Sequence, residues 1–344
     1  MQQYAMLVSP SANRVYAKTA VQMMVSEIRI FDEFLLDGSI KDLEEVEMGG
    51  IPYLTFHGDS LSERDLRCLA NVSSLFALFK IHGSMLEPIA LSRLDRYEND
   101  LTSILKYVGK TNEHFTKLLL NVTAAAAFPA DRVLNSRFKV LDPLCGRGTT
   151  LNQSIMYGWD SYGVEVDKRD FEAYSAFIQR WLKSKSIKHK AVKSRVKRDG
   201  RAVGQRLLVE FAATKELYKA GEMQTLEMVS ADTLQSGQVY KKRSFDLIVT
   251  DAPYGVQHAA VGAVRSLSRT AKELLELGIP VWTELLRGGG AIGIAWNTLT
   301  VSRDELAAML TESGLEVMSD KPFLGFAHRV DQAINRDLIV AVRP

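Results

Sequence analysis

Short apolar strands alternate with helices along the second half of this 344-residue chain, and this alternation restricts the fold more than any other feature. The strand candidates, which begin at Phe138, are FKVLD, SYGVEVD, LEMVSAD, SFDLIVTD, GGGAIGIAW, LEVMS and DLIVAVRP. Helical segments such as DFEAYSAFIQRWL lie between them. This order is typical of a mostly parallel sheet with helices on both faces. We predict an α/β fold with seven strands, in which a short final turn permits an antiparallel last strand.

The N-terminal part of the chain shows a different pattern of strands and helices. YAMLV and PYLTFHG indicate strands, whereas the segments 17–30 and 64–83 look helical. Strands mixed with helices predict a small α+β domain, to which we assign residues 1–106. RNA binding by this domain is a hypothesis only. Residues 107–344 form the second predicted domain, which opens with the helical stretch TNEHFTKLLLNVTAAAA.

The composition excludes several protein classes. Hydrophobic residues make up 46% of the chain and charged residues 24%, which is ordinary for a globular protein. There is no apolar run of about 18 residues, so we expect no membrane span, and the first residues do not resemble a signal peptide. Two cysteines, Cys68 and Cys145, build neither a disulfide framework nor a four-ligand zinc site. We therefore expect a reducing, cytoplasmic setting and no metal.

Positive charge is concentrated in one segment. Between Lys183 and Arg206 there are ten Lys or Arg residues and one acid, Asp199, in a chain whose formal net charge is only +2. A charge run is usually a solvated loop, and the alternative is an arm that binds phosphates. The link 184–226 is long for a connection between strands. We expect a basic insertion over about 183–226, formed as a hairpin or flap or in part as a helix.

VLDPLCGRGTT, residues 140–150, places two glycines after a strand that ends in Asp142. Glycine allows close approach of a ligand to the backbone, although a tight turn would use the same residues. A dinucleotide loop would have glycine at the position of Leu151, and a phosphate-binding P-loop would need a Gly-Lys pair. Both patterns are absent from this stretch.

Acidic residues follow the predicted strands in order: Asp142 ends the first, Glu165 and Asp167 the second, and Asp232 the third. Carboxylates suit an amino-acid ammonium, a ribose diol and an adenine amino group, but they repel a pyrophosphate. The set therefore favours S-adenosylmethionine over NAD or ATP as cofactor.

The fourth strand ends in TDAPYG, residues 250–255. With this motif, residues 111–344 resemble the Rossmann-like class I S-adenosylmethionine-dependent methyltransferases that modify exocyclic amines of nucleic-acid bases. DPLCGRGTT followed by DAPYGV most resembles the THUMP-associated tRNA guanosine-N2 methyltransferases. The resemblance implies an RNA substrate, with tRNA favoured over DNA.

The resemblance also implies residue roles. The implied cofactor-binding residues are Thr111, Asp142, Leu144, Gly146, Gly148, Glu165, Val166, Asp167, Asp232, Thr233 and Asp251. The implied catalytic residues are Asp251, Ala252, Pro253 and Tyr254. Asp251 and a backbone carbonyl of the next two residues would accept the N–H bonds of the amine, while Tyr254 would stack on the base. The expected substrate contacts are Tyr254, Gly255 and His258, with Lys188, Lys190, Lys193, Arg195, Lys197 and Arg198 of the basic insertion.

Ala252 departs from the family pattern, which has proline there. Proline fixes φ, so we expect a less preorganised loop that remains active, because Asp251 and the carbonyl acceptor are retained. Two alternatives stay open at this point. One is a DNA methyltransferase that acts on adenine N6 or cytosine N4, and the other is a catalytically silent protein that binds the cofactor or RNA.

Overall fold

We describe the protein from a computed structural model, which covers residues 1–9, 14–104, 107, 110–198, 201–255 and 270–344, with backbone alone at 14–18, 198, 201 and 202. Its helices are α1 (Arg14–Phe34), α2 (Glu63–Leu69), α3 (Asp100–Ser103), α4 (Glu113–Ala127), α5 (Ala130–Asn135), α6 (Thr149–Met156), α7 (Lys168–Ser184), α8 (Lys215–Ala220), α9 (Ser236–Val239), α10 (Ala271–Leu285) and α11 (Arg303–Glu312). Among these described helices, none combines the length and the apolar character needed to cross a membrane.

The N-terminal strands form an antiparallel sheet of their own. They are β1 (Gln2–Val8), β2 (Ser39–Met48), β3 (Ile51–Asp59), β4 (Leu75–His82) and β5 (Met85–Ile89), in the order β2-β3-β1-β4-β5. Helices α1 and α2 belong to the same segment. The predicted α+β character of this part is therefore present, whereas the division of the chain at residue 106 stays a prediction.

The predicted helix over residues 64–83 is wrong in its second half. Helix α2 starts at a capping box formed by Ser62 and Asp65 and ends at Leu69. The Asn71 side chain then donates to the Arg67 carbonyl at 2.9 Å, and such local bonds compete with a continuing helix. The apolar run that follows pairs with β1 as strand β4. A short apolar run fits a buried strand as well as a helix.

The second sheet contains the predicted parallel strands. They are β6 (Lys139–Asp142), β7 (Asp160–Glu165), β10 (Gln224–Ser230), β11 (Phe245–Asp251) and β12 (Leu286–Asn297), arranged β12-β11-β6-β7-β10. Strands β15 (Asn335–Val342) and β13 (Glu316–Val317) continue the sheet beyond β12, and β15 runs antiparallel to β12. This seven-strand arrangement confirms the predicted α/β fold. Three further strands extend it: β8 (His189–Arg198), β9 (Arg201–Phe211) and β14 (His328–Arg329).

The basic insertion is a hairpin. Strands β8 and β9 pair antiparallel, and β9 pairs antiparallel with β10, so the insertion widens the sheet. The segment KELYKA that follows is the short helix α8. The basic run, residues 183–206, thus extends from the end of α7 through β8 into β9. Residues 183–226 contain a hairpin and a short helix, while their bounds as an insertion stay a prediction.

Helix α4 lies in an apolar core that reaches both sheets. Phe31 of α1 and Leu54 of β3 belong to the same buried cluster as Phe115 and Leu118 of α4 and Leu338 of β15. A second cluster covers the opposite face of the larger sheet and includes Trp282 of α10. This packing fixes α4, and with it Thr111 just before the helix, against the large sheet.

Candidate active site

The glycine loop joins β6 to α6 and depends on glycine at two positions. Gly146 has φ +50° and Gly148 has φ +79°, both in the left-handed region. A Cβ on Gly148 would collide with the Tyr174 ring, whereas one on Gly146 would meet no atom within 4 Å. Gly148 therefore allows the turn to pack, and Gly146 leaves the loop backbone open on one side.

Asp142 ties this loop to strand β11. Its Oδ1 accepts from the Leu144 backbone N–H at 3.0 Å and from Thr250 Oγ1 at 2.8 Å. The side chain is buried, and burial raises the pKa of its carboxyl to about 6. The ends of β6 and β11 are thus joined by one carboxylate, which holds the glycine loop beside Asp251.

Asp251, at the carboxyl end of β11, accepts hydrogen bonds on both oxygens. Tyr254 Oη donates to its Oδ1 at 2.6 Å, and the Thr111 hydroxyl donates to its Oδ2. Asn112 caps α4 by accepting from the His114 N–H at 2.8 Å, which places Thr111 directly outside the helix. A carboxylate has about four acceptor positions, so Asp251 keeps capacity for a further donor.

The loop after Asp251 is fixed by its backbone. The Ala252 N–H donates to the Ala295 carbonyl of β12 at 2.8 Å. Asn297 Nδ2 donates to the Tyr254 carbonyl at 3.1 Å. Proline has no N–H and could not make the first of these bonds. Alanine at position 252 therefore supplies a fixed backbone contact in place of the fixed φ of proline.

These elements surround a cavity of about 1150 Å³ at the carboxyl ends of β6 and β11. Nine of the predicted site residues line it: Thr111, Asp142, Leu144, Gly146, Asp251, Ala252, Pro253, Tyr254 and Gly255. The open loop backbone at Gly146 and the carboxylates beside it suit a ligand with a cationic centre and hydroxyl groups. The cavity thus fits S-adenosylmethionine, and ligands of open α/β sheets bind at this edge.

Glu165 and Asp167 lie next to the cavity without lining it. Glu165 accepts from the Gly146 N–H at 2.8 Å and from the Asp167 N–H at 2.7 Å. Burial raises the pKa of the Glu165 carboxyl to about 7. Asp167 caps α7 and pairs with Arg169, which lowers its pKa, and Val166 between the two acids is exposed. Glu165 therefore supports the glycine loop through its bond to the Gly146 N–H.

Asp232 and Thr233 follow β10 and are also outside the cavity lining. Asp232 accepts from the Leu234 N–H at 3.0 Å. Thr233 is buried, and its hydroxyl accepts from the Trp282 indole N–H at 2.9 Å. Both residues keep their predicted place at a strand end, and their cofactor contacts remain proposals.

The basic hairpin projects at the same edge of the sheet as the cavity. Gln205 lies opposite Ser230, the last residue of β10, so the hairpin tip extends past the end of that strand. The side chains of the predicted contacts Lys188, Lys190, Lys193, Arg195 and Lys197 are exposed, and Lys193 pairs with Glu172 at 2.6 Å. The side chain of Arg198 and all of His258 lie outside the described residues.

Sequence reasoning missed several cavity residues, among them Tyr107, Arg147, Thr149, Lys272 and Arg336. Arg147 lies over the Tyr107 ring at 5.0 Å, and the Tyr107 hydroxyl is 3.1 Å from Thr149 Oγ1. Arg147 and Thr149 stand inside the glycine motif, so their position was a usable signal. Lys272 and Arg336 come from distant elements with no motif around them.

The Cys145 thiol is a poor candidate nucleophile. The Cys145 thiol is buried, and burial raises its pKa well above the ordinary value, so the reactive thiolate is disfavoured. In the described part of the chain, no three His, Cys, Asp or Glu side chains are grouped to hold a metal ion.

Residues 120–279, a little under half of the chain, match the family model described as "UPF0020: RMKL-like, methyltransferase domain". No curated protein matches the chain. The similar solved structures include a TehB-like SAM-dependent methyltransferase from Corynebacterium glutamicum, with 13% identity, 60% of this chain and 80% of that chain covered, and a TM-score of 0.33. A SAM-dependent methyltransferase from Agrobacterium tumefaciens has 14% identity and a TM-score of 0.38, with 70% of this chain and 65% of that chain covered. A ribosomal protein L11 methylase from Lactobacillus delbrueckii subsp. bulgaricus has 12% identity and a TM-score of 0.36, with 67% of this chain and 80% of that chain covered.

Proposed function

We propose that this chain, a class I S-adenosylmethionine-dependent methyltransferase, methylates the exocyclic N2 amine of a guanosine in RNA, with tRNA as the substrate. The observation that carries the proposal is Asp251, a carboxylate fixed by two hydroxyl donors at the cavity that the glycine loop also lines. The proposal places residues 1–106 and 107–344 in separate domains. It also places the protein in the cytoplasm, because a chain with two cysteines builds no disulfide framework.

The cofactor would lie along the glycine loop. Asp142, Leu144, Gly146 and Gly148 would face its methionine part, with Thr111 at the carboxylate, while Glu165 to Asp167 would face the ribose and Asp232 with Thr233 the adenine. When bound, S-adenosylmethionine supplies an electrophilic methyl group. The buried carboxylate of Asp142 favours a cationic ligand beside it.

Asp251 would act on the amine through hydrogen bonds. The lone pair of an exocyclic amine is delocalised into the base, so the nitrogen is a weak nucleophile. Asp251 would accept one N–H and a carbonyl of Ala252 or Pro253 the other, which orients the nitrogen toward the cofactor. The surplus proton would leave along the bond to Asp251. Tyr254 would stack on the base, and Gly255 would let the chain turn away.

The hairpin β8–β9 supports RNA as the partner. The exposed cations near its tip, Arg195 and Lys197, stand at the cavity edge of the sheet, displaced from β6 by four strand spacings, or roughly 20 Å. At that distance from the cavity, these hairpin cations would contact phosphates that flank the target nucleotide and not the target nucleotide itself. Lys188 and Lys190 lie at the opposite edge, level with the start of β10.

Replacing Arg195 and Lys197 with Gln should weaken RNA binding and reduce its salt dependence, by about 0.7–0.9 in log–log slope for each phosphate that the variant no longer neutralises. The matched control replaces Lys215 and Lys219 of α8, and equal effects of the two pairs would contradict the assignment.

The decisive test is methyl transfer to tRNA, rRNA and duplex DNA in separate reactions, followed by mass spectrometry of the nucleosides. We expect N2-methylguanosine in tRNA. Methylated adenine or cytosine in DNA would support the DNA alternative, and cofactor binding without transfer to any acceptor would support the silent one. Asp251→Ala should abolish transfer while S-adenosylmethionine affinity changes less than about tenfold. Asp304→Ala, at an exposed acid on α11, is the control.

A further inference from the structure

Arg336 contributes a buried positive charge to the wall of the cavity. It lies in β15, and only 6% of the residue is exposed. Its guanidinium carbon is 4.6 Å from the centroid of the Phe115 ring and 5.1 Å from that of the Tyr254 ring. The group is therefore placed against two aromatic rings, in the geometry of a cation–π contact.

Arg336 contacts the two rings and donates a hydrogen bond to the Tyr254 hydroxyl, where a buried arginine ordinarily has a carboxylate partner. Among the described residues, no carboxylate forms an ion pair with Arg336, and its Nε has no hydrogen-bond partner. Arg132 offers a comparison, because its guanidinium lies 4.2 Å from Phe128 and 5.6 Å from Phe138. The Arg132 side chain, however, is 47% exposed and pairs with Asp246 at 3.7 Å. Burying a guanidinium without a carboxylate is costly, so the position of Arg336 calls for an explanation beyond packing.

Tyr254 contacts both Arg336 and Asp251. The Tyr254 hydroxyl donates to Asp251 at 2.6 Å, so a rotation of the ring would move the donor away from the carboxylate. Arg336 lies over one face of this ring, and Tyr254 lines the cavity.

We propose that Arg336 is a positioning residue for methyl transfer, which holds the Tyr254 ring so that its hydroxyl donates to Asp251 and its other face receives the target base. This inference rests on the proposed function. The base would extend an existing series of Phe115, the guanidinium and Tyr254. A flat cation is required for this role, because the ammonium of lysine has charge but no planar face to lie against two rings.

Arg336→Lys keeps the positive charge but removes the planar guanidinium, whereas Arg336→Met removes both. Arg132→Met is the matched control. Both variants at Arg336 should lower kcat on RNA by about tenfold or more, since a displaced base loses its attack geometry. S-adenosylmethionine affinity should stay within about twofold, and the control should keep its kcat. Full activity of Arg336→Lys, or a loss of cofactor affinity as large as the loss in kcat, would overturn the proposal.

A double-mutant cycle with Tyr254→Ala separates positioning from a general structural role. If Arg336 acts through Tyr254, removing Arg336 should change single-turnover rates little once the ring is gone. Independent, multiplicative losses would contradict the proposal.

A crystal structure of Arg336→Met tests the positioning role without a methylation reaction or an RNA substrate. If Arg336→Met does not fold, Arg336→Lys takes its place. The Tyr254 hydroxyl should leave Asp251, and a hydroxyl that stays within hydrogen-bond distance overturns the positioning role. If the unmodified enzyme transfers no methyl group to nucleic acid, the proposed function fails, and this structure still decides the role of Arg336.

Discussion

Two carboxylates receive hydrogen bonds from distant parts of the chain, Glu27 between the two sheets and Asp251 at the cavity. Glu27 of α1 has no exposed surface. It accepts from the Ser73 N–H at 2.9 Å, from the Ser73 hydroxyl at 2.6 Å and from Asn121 Nδ2 at 2.7 Å. Asn121 in turn accepts from the Tyr157 hydroxyl at 2.7 Å. We call Glu27, Ser73, Asn121 and Tyr157 the junction cluster.

The two carboxylates differ in what remains available to a ligand. Within the junction cluster Glu27 is enclosed, and burial raises the pKa of its carboxyl. Asp251 is held by Thr111 and Tyr254 but lines an open cavity. The first arrangement can only fasten α1 to α4, whereas the second fixes a carboxylate that still faces a possible reactant. Both depend on α4, because that helix contains Asn121 and begins just after Thr111.

The largest effect is expected from breaking the junction cluster. Glu27→Ala would leave the buried Ser73 N–H without its acceptor, would reduce the bonds of Asn121 Nδ2 to the one with the Asn71 carbonyl, and would open a cavity. We expect the free energy of unfolding to fall by about 3–5 kcal/mol. Urea denaturation measures the loss. Glu33→Ala, at an exposed position of the same helix, should change stability by less than about 0.5 kcal/mol. A loss below about 1 kcal/mol at Glu27 would show that the cluster does not fasten the helices.

The sequence predicted the larger sheet and the site elements that follow its strands, because each depends on local order. Asp142 and Asp251 end neighbouring strands, so sequence order alone brings them to one edge. Long-range pairs left no such signal: Thr111 and Asp251 are far apart in sequence, as are Glu27 and Asn121. Strand β2 was missed for a different reason. It lies at a sheet edge and exposes half of its ten side chains, so its segment SIKDLEEVEM lacks an apolar alternation.

A smaller effect concerns Glu165 and pH. Its pKa of about 7 means that the carboxyl is about half ionised in the free protein at neutral pH. Ribose hydroxyls would donate to the ionised form, so S-adenosylmethionine should bind about tenfold more weakly at pH 6 than at pH 8. Calorimetry at both pH values checks this, and Glu165→Gln should remove most of the difference.

The free protein should respond to pH in the opposite direction. Because the folded-state pKa of Glu165 lies above its unfolded value, its contribution to stability is full below about pH 4 and is lost as the pH rises through 7. If cofactor affinity and stability shifted in the same direction with pH, and Glu165→Gln removed both shifts, a role of this carboxylate at the ribose would be contradicted.

The smallest effect is expected from Ala252→Pro, which introduces the proline found in the methyltransferase motif that DAPYG resembles. Proline would remove the hydrogen bond from the Ala252 N–H and leave the Ala295 carbonyl without that donor, at a cost of about 1–2 kcal/mol. It would also restrict the unfolded chain, which stabilises by about 0.4–1 kcal/mol where the backbone is compatible. We expect a net loss of about 1 kcal/mol in urea denaturation, with Pro253→Ala as the control at the exposed neighbour. A gain in stability together with faster methyl transfer would show that the loop is limited by flexibility, and that the Ala295 contact does not compensate for the absent proline.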